Sequence, residues 1–262
     1  MTLLSIIIAS FNRGRLLEET LRSIKDQRCK LSYEIVIADN MSTDCTEDVI
    51  SRFASLPIVL MRECDSGLYA AIAKGLTCSR GEYLCYINCG DIFDPYFFSV
   101  VERMSRLRPH AWYIGLPTSR NENYETMSIR RDFHTSSKLI KMGYHNGRHD
   151  HFLQQESIFW HKRFNKEIDN RRLASFRLAG DAYMWLSFAR LDEPVLLGLS
   201  ISGYTHHTNP LSDNRQLYRQ EYESLYAHNQ WVGLRLGVLS AAKKVSTYLE
   251  KYIVKAIQRA SR

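Results

Sequence analysis

The sequence predicts an α/β fold: a mostly parallel sheet with helices on both faces. Two observations carry this. Short apolar segments rich in β-branched residues alternate with segments of helical periodicity four times in about the first hundred residues. Polar and acidic residues then stand directly after the apolar segments, at the carboxyl ends of the strands, where parallel sheets bind ligands.

Ser5-Ile6-Ile7-Ile8-Ala9 is a continuous apolar run, the pattern of a strand buried on both faces. The polar turn 10–14 follows, then Leu16, Leu17, Thr20, Leu21 and Ile24 repeat at helical spacing. A second strand at 33–38 ends at Asp39-Asn40, and Asp44 and Glu47 are spaced as a capping box for the next helix. A strand at 58–61, a helix at 68–77, a strand at 83–87 and a helix at 97–107 complete the alternation. Residues 108–152 are polar, aromatic and weakly alternating, and read as irregular strands and loops forming a second wall. Helical spacing returns at 181–191, an apolar strand pattern at 194–201 and a further helix at 213–230. Asn12, Asp39, Asp65 and Asp91 therefore fall along one edge of the sheet.

Composition narrows the function classes. A chain of 262 residues with 45% hydrophobic and 24% charged residues is ordinary for one substantial globular domain. No apolar run approaches the roughly 20 residues of a membrane-spanning helix, and residues 1–5 lack the flanks of a secretory signal. The expectation is a cytoplasmic protein. No G-x-G-x-x-G follows the first strand and no G-x-x-x-x-G-K-[ST] occurs, which argues against a dinucleotide-dependent dehydrogenase and a phosphate-loop NTPase. The six cysteines lie between Cys29 and Cys89 without C-x-x-C spacing, so zinc and disulfide staples are not expected. Of the formal net charge of +7, residues from Arg235 onward carry seven bases and one acid, Glu250. The body is nearly neutral and the tail is basic, which argues against a nucleic-acid partner spread over the domain.

The order of the motifs resembles glycosyltransferase family 2. The residues that carry the resemblance are Ser5 to Arg13, then Glu34 to Asp44 and Asp65-Ser66-Gly67-Leu68-Tyr69. Gly81-Glu82-Tyr83-Leu84 and Asn88-Cys89-Gly90-Asp91 follow. Gln155 to Trp160, Ala179 to Trp185 and Gly203 to His207 resemble a bacterial surface-polysaccharide branch of that family. The resemblance implies a GT-A (Rossmann-like) fold and inverting transfer from a nucleotide-diphosphate sugar, UDP favoured.

It also implies roles. Asp39 accepts a hydrogen bond from the base, with a helix N-cap as the alternative role. Ala9, Phe11, Arg13, Asp65, Asn88 and Cys89 complete the nucleotide site. Asp91 and His207 hold a divalent metal, Mn²⁺ or Mg²⁺, with His206 an alternative to His207. The usual Asp-x-Asp is reduced here to Asn88-Cys89-Gly90-Asp91, leaving one carboxylate. Asp181 is the catalytic base, with helix capping as its alternative role, and Glu156 is the rival base. Gln155, Glu156 and Trp160 lie near the acceptor or donor sugar. Arg13 and Lys74 offset phosphate charge, with a solvated surface group as the alternative reading of each.

These readings divide the chain into a nucleotide-sugar half (1–110), an acceptor and catalytic half of the same domain (111–212) and C-terminal helices (213–262). In the tail, Val245, Tyr248, Leu249, Tyr252 and Ile253 share a helical face largely opposite Lys244, Lys251 and Lys255. Such a helix suits an anionic inner-membrane surface; the alternative is docking on the domain or on a second copy in a homo-oligomer. The expected acceptor is a polyprenyl-diphosphate-linked glycan of a surface polysaccharide such as O-antigen or capsule. A catalytically reduced nucleotide-sugar-binding or scaffold protein of the same fold is the competing expectation.

Overall fold

The computed structural model describes residues 2–146, 152–207 and 214–226. β1 (Leu4–Ser10), α1 (Gly14–Lys25), β2 (Tyr33–Asp39), α2 (Thr46–Arg52), β3 (Ile58–Arg62), α3 (Leu68–Cys78) and β4 (Tyr83–Asn88) follow one another. Then come β5 (Ile92–Phe93), α4 (Phe97–Leu107), β6 (Trp112–Ile114), β7 (Thr118–Arg120), β8 (Thr126–Ile129) and α5 (Ser137–Lys141). β9 (Ile158–His161), α6 (Asn170–Ser175), α7 (Gly180–Leu191), β10 (Val195–Leu196), β11 (Ser202–Thr205) and α8 (Arg215–Ser224) complete the described elements.

Seven strands form the main sheet in the order β10-β6-β9-β4-β1-β2-β3. β1 runs parallel to both β2 and β4, and β2 to β3; β9 is reversed between β4 and β6. Side chains alternate across this sheet as the period of two requires. Ile7, Val36, Leu84 and Tyr86 face a core shared with α3, α6 and α7. Ile6, Ile8, Ile35, Ile37 and Cys85 face a second core shared with α1, α2 and α4. Both faces are thus covered, and this is why the strands read as continuous apolar runs rather than alternating ones. At the amino-terminal edge, buried Glu34 accepts the Ser5 hydroxyl and the Arg80 N–H, each at 2.6 Å.

The segment expected as a second wall divides between two sheets. β6 enters the main sheet, while β7 and β8 join β11 and β5 in a four-stranded sheet of order β5-β11-β7-β8. Arg120 of β7 pairs with Asp94 behind β5, and the Ser200 hydroxyl also donates to Asp94.

Three local expectations are corrected. The strand expected at 194–201 shrinks to β10 (Val195–Leu196), because the chain turns at Gly198, whose φ of +65° a side chain disfavours; the next strand, β11, begins only at Ser202 and belongs to the other sheet. Asp44 and Glu47 form no capping box. Asp44 instead accepts the N–H groups of Thr46 and, at 2.9 Å, of Gly14, tying the starts of α1 and α2, while Glu47 pairs with Arg62 at 2.6 Å. The helix expected at 213–230 is described only as α8, and its remainder and the basic amphipathic tail lie outside the described residues. Among the described residues no helix is long and apolar enough to cross a membrane.

Trp160 is also corrected. Expected near a sugar, it is fully buried on β9, its ring 5.8 Å from Trp185 and 5.5 Å from Phe188 of α7. Its Nε1 donates to Asn165 Oδ1 at 2.8 Å, so its polar atom is satisfied inside the core. A side chain enclosed on all sides cannot stack on a carbohydrate. Trp160→Ala is expected to cost about 3–5 kcal/mol of stability, read from the denaturant midpoint.

Candidate active site

The carboxyl ends of β1, β2 and β4 lie in register, Ser10 beside Asp39 and Ala9 beside Asn88. This brings Ala9, Phe11, Asp39 and the 88–91 loop onto one edge. Phe11 is 56% exposed, so its ring is presented to solvent there. Asn12 takes a positive φ of 51°; its N–H donates to the Ser42 hydroxyl and its side-chain oxygen accepts the Thr43 N–H, each at 2.8 Å. The turns after β1 and β2 are thereby locked together.

Asp39 is buried and caps its own turn by accepting the Ser42 N–H at 3.0 Å and the Ser42 hydroxyl. It caps no helix. Arg62 lies 3.7 Å from it. Asp65 follows β3, its N–H held by Asn40 Oδ1 at 2.9 Å, and its carboxylate accepts the Gly67 N–H ahead of α3. Cys89 packs under this edge, its thiol donating to Ala9 O at 3.3 Å. Burial pushes that thiol up to about 12, with the Arg13 guanidinium acting the other way, so Arg13 lies near the same loop. Lys74 is turned elsewhere: its Nζ donates to Cys64 O at 2.9 Å and pairs with Glu63, so its expected place beside phosphates is corrected.

Asp91 is buried, accepting the Thr205 N–H of β11 at 2.8 Å. Burial raises its carboxyl to about 7, against hydrogen bonds from Thr205 and the Asn88 side chain. The Asn88 side chain therefore supports the ionised form of Asp91. His207 reaches the same loop, its Nε2 3.3 Å from Gly90 O. His206 turns to Tyr204 instead, with ring centroids 5.1 Å apart.

Glu156 sits in the single-turn helix Gln155–Ser157 before β9, with Gln155 half-buried beside it. It is 1% exposed, and neither carboxylate oxygen has a hydrogen-bond partner. Burial, then the charges of Asp91 and Asp181, raise its carboxyl well above the usual range. Glu156 thus feels the charges of two further acids, Asp91 from the sheet edge and Asp181 from the first turn of α7. Asp181 accepts the Ala182 N–H at 2.7 Å, and burial raises its carboxyl to about 7. It is not the N-cap, which is Ala179 without a side-chain bond. Ala182 and Trp185 of α7 and Tyr218 and Tyr222 of the α8 side line a pocket with Asp181.

An orphaned, deeply buried carboxylate beside a second acid calls for a proton or a cation. The donor types on this edge fit a divalent cation: hard oxygen from Asp91 and imidazole from His207. Two protein ligands leave positions for phosphate oxygens and water, the usual state of Mg²⁺ and Mn²⁺ sites. A different cluster, Glu82, His110 and His161, groups its ligand atoms within 4.8 Å of one another, but at the opposite edge of the sheet. There His161 Nδ1 accepts the Arg163 N–H, which leaves the proton on Nε2, 3.1 Å from His110 Nδ1. Metal binding through Nε2 would require that backbone bond to be given up.

Sequence reasoning missed Tyr69 and Glu221. Tyr69 lies inside a recognised motif, but its ring fills the space above Gly180, where an added Cβ would come 2.4 Å from Cγ. Its hydroxyl donates to Leu178 O at 3.1 Å and also contacts Asp181. Glu221 accepts the N–H groups of Arg177, Leu178 and Ala179, each at 2.8 Å. No local pattern marks either contact, because each spans at least forty residues of chain.

Comparison with known proteins gives a consistent result. The family model described as Glycosyl transferase family 2 matches residues 5–188. Chondroitin synthase of Escherichia coli is 25% identical over 179 residues, covering 66% of this chain and 26% of that protein. A PGL/p-HBAD biosynthesis glycosyltransferase of Mycobacterium tuberculosis is 33% identical over 90 residues, 33% of this chain and 35% of the other. The chain spans less than two thirds of the length of these curated relatives. Among solved structures, S. aureus TarS 1–349 in complex with UDP-GlcNAc aligns with a TM-score of 0.61 at 15% identity, covering 81% of this chain and 61% of that one. The mannosyltransferase PcManGT from Pyrobaculum calidifontis, in complex with GDP-Man and Mn²⁺, aligns at 0.55 and 14%, covering 94% and 80%. At these identities the structural likeness shows the fold, which is GT-A.

Two outcomes follow from the geometry. Gly180→Ala is expected to cost about 1–3 kcal/mol through overpacking, and a double-mutant cycle should show that penalty vanishing in a Tyr69→Ala background. Asp181 is held near 7 against an unfolded value of 3.8, so between those values the native state binds more protons than the unfolded one. Stability should therefore fall as pH rises from about 4 to 7. Asp181→Asn should fall less over that range in denaturant titrations.

Proposed function

The chain belongs to glycosyl transferase family 2, and on that footing we propose that it moves one hexose, with inversion, from a UDP-sugar to a polyprenyl-diphosphate-linked glycan of a bacterial surface polysaccharide. The observation that carries this reading is the convergence of Asp91, Glu156 and Asp181 at the carboxyl edge of the sheet, two of them held near 7 by burial. Carboxylates with displaced pKa values in one cleft suit proton transfer near neutral pH.

In this reading the nucleotide half is residues 1–110 and the acceptor half 111–212. Asp39 accepts the imide N–H of uracil, and Phe11, Ala9, Arg13, Asp65, Asn88 and Cys89 surround the nucleoside. A divalent cation held by Asp91 and His207 would supply positive charge to the departing diphosphate. Asp181 takes the proton of the acceptor hydroxyl as that oxygen attacks the anomeric carbon, opposite the leaving nucleotide. Its carboxyl near 7 makes it substantially ionised at neutral pH and able to hold the proton it receives. Gln155, half-buried, faces the sugars; Glu156, expected there too, is enclosed in the protein. A thymidine nucleotide offers the same imide edge as uridine, and guanosine does not. PcManGT carries GDP-Man, so the nucleotide has to be measured rather than carried over.

The basic residues from Arg235 onward support attachment to the cytoplasmic face of an anionic membrane, where a lipid-linked acceptor would be found. The second reading is a nucleotide-sugar-binding protein that has lost turnover, favoured by Asn88 in the place of an acid.

Calorimetric titration of UDP, dTDP and GDP, with and without Mn²⁺, tests the donor side. UDP binding that strengthens at least tenfold with Mn²⁺ and loses that gain in Asp91→Ala is the expected result. Binding that ignores both metal and substitution would remove Asp91 from the metal role. On the chemistry, Asp181→Asn should lower kcat by about 10²–10⁴ while leaving UDP affinity intact, and wild-type kcat/KM should rise with pH through about 7. UDP binding without turnover on any lipid-linked acceptor would favour the binding-protein reading.

A further inference from the structure

α8 is not an appendage to this site. Its Glu221 lays both carboxylate oxygens against the three backbone N–H groups that enter α7. Oε1 accepts from Arg177, and Oε2 from Leu178 and Ala179, all at 2.8 Å. These residues lead into α7 and end on its N-cap, Ala179, which offers no side-chain acceptor, so the Glu221 carboxylate fixes the entry to the helix rather than its own first-turn N–H groups. The positive end of the α7 dipole favours a negative charge there. Two residues beyond Ala179 stands Asp181.

The neighbours of Glu221 on α8 reach the same place. Tyr218 and Tyr222 line the pocket that holds Asp181, and Tyr222 is buried in the core. Past the helix, the Tyr226 hydroxyl donates to Ile140 O at 2.8 Å, tying this segment to the end of α5. From the opposite side the Tyr69 ring fills the space above Gly180. The turn carrying Asp181 is therefore gripped between α3 and α8.

We propose that Glu221 is a positioning residue for Asp181: by holding the 177–179 backbone it fixes where the Asp181 carboxylate points, so the site is complete only when α8 is docked. This rests on the reading of Asp181 as the base. Glu221 also faces Asp181 as a like charge and opposes its ionisation, after burial as the main cause. The other titratable groups around Asp181 are Tyr69 of α3, Tyr86 of β4, His145 after α5, Glu156 before β9, and Tyr218, Tyr222 and Tyr226 of the α8 segment. All of them are retained in a Glu221 variant.

The test is a ¹³C NMR titration of aspartate carboxyls in the full chain, with the Asp181 signal assigned by its loss in Asp181→Asn. Glu221→Gln keeps the size and one acceptor oxygen but removes the charge; Glu221→Ala removes both. The expected result is an Asp181 midpoint moved to lower pH in Glu221→Gln. Amide exchange at 177–179 should quicken at least tenfold, with UDP affinity within twofold of wild type. An unmoved or raised midpoint would overturn the proposal even if the melting temperature fell, since a purely structural cap predicts only the latter. Should Glu221→Ala fail to fold, Glu221→Gln decides alone. Loss of UDP affinity together with the midpoint shift would also count against it, as general collapse. The base reading fails separately, if Asp181→Asn retains turnover.

Discussion

The site depends on the register of one strand. β1 is hydrogen-bonded in parallel to β2 on one side and β4 on the other, with Ile6 opposite both Ile35 and Cys85 and Ala9 opposite both Ala38 and Asn88. That pairing sets the ends of three strands level, so the turns leaving them open onto one edge. A slip of one residue would turn Ile7 and Ile8 to the wrong cores and carry Asp39 and Asn88 out of line. Because both faces of the sheet are covered, burial defends that register strongly. Two apolar cores, one against α3, α6 and α7 and the other against α1, α2 and α4, hold it from both sides.

On this rigid edge the chain gathers acids that the fold alone would disfavour. Asp91 and Glu156 are almost without exposure, and Glu156 has no partner for either oxygen. Buried carboxylates of this kind raise the energy of the ligand-free protein and lower their own tendency to ionise. Their missing partners are ones that a bound substrate or cation can supply. The Asn88 side chain fits this arrangement. A second acid there would set a like charge beside Asp91, whereas the amide donates to it.

The surroundings of Asp181 are built by long-range contacts instead of strand register. α7 carries Asp181 on a helix whose aromatic residues are core: Trp185 stacks 6.4 Å from Tyr86 and 6.2 Å from Trp112. Trp160, the aromatic residue expected near a sugar, is likewise used up in packing. What remains open toward Asp181 is the tyrosine face of α8, with Tyr218 and Tyr222 stacked 5.9 Å apart.

The sequence by itself determined the parallel α/β architecture, the positions of most strands and helices in its first half, and the family. Apolar runs, helical spacing and turn residues are local signals, and the fold obeys them there because strand and helix are consecutive partners. It also determined that Asp39 and Asp91 stand at one edge, since that follows from strand direction. Only the tertiary structure decided which groups touch. It cut the strand expected at 194–201 down to Val195–Leu196, turned Trp160 and Lys74 away from the site, and set Thr205 against Asp91 across 114 residues. It also brought Glu221 to the start of α7 from forty-two residues away. Such contacts are made by side chains meeting across packed elements, and a one-dimensional pattern has no period that records them.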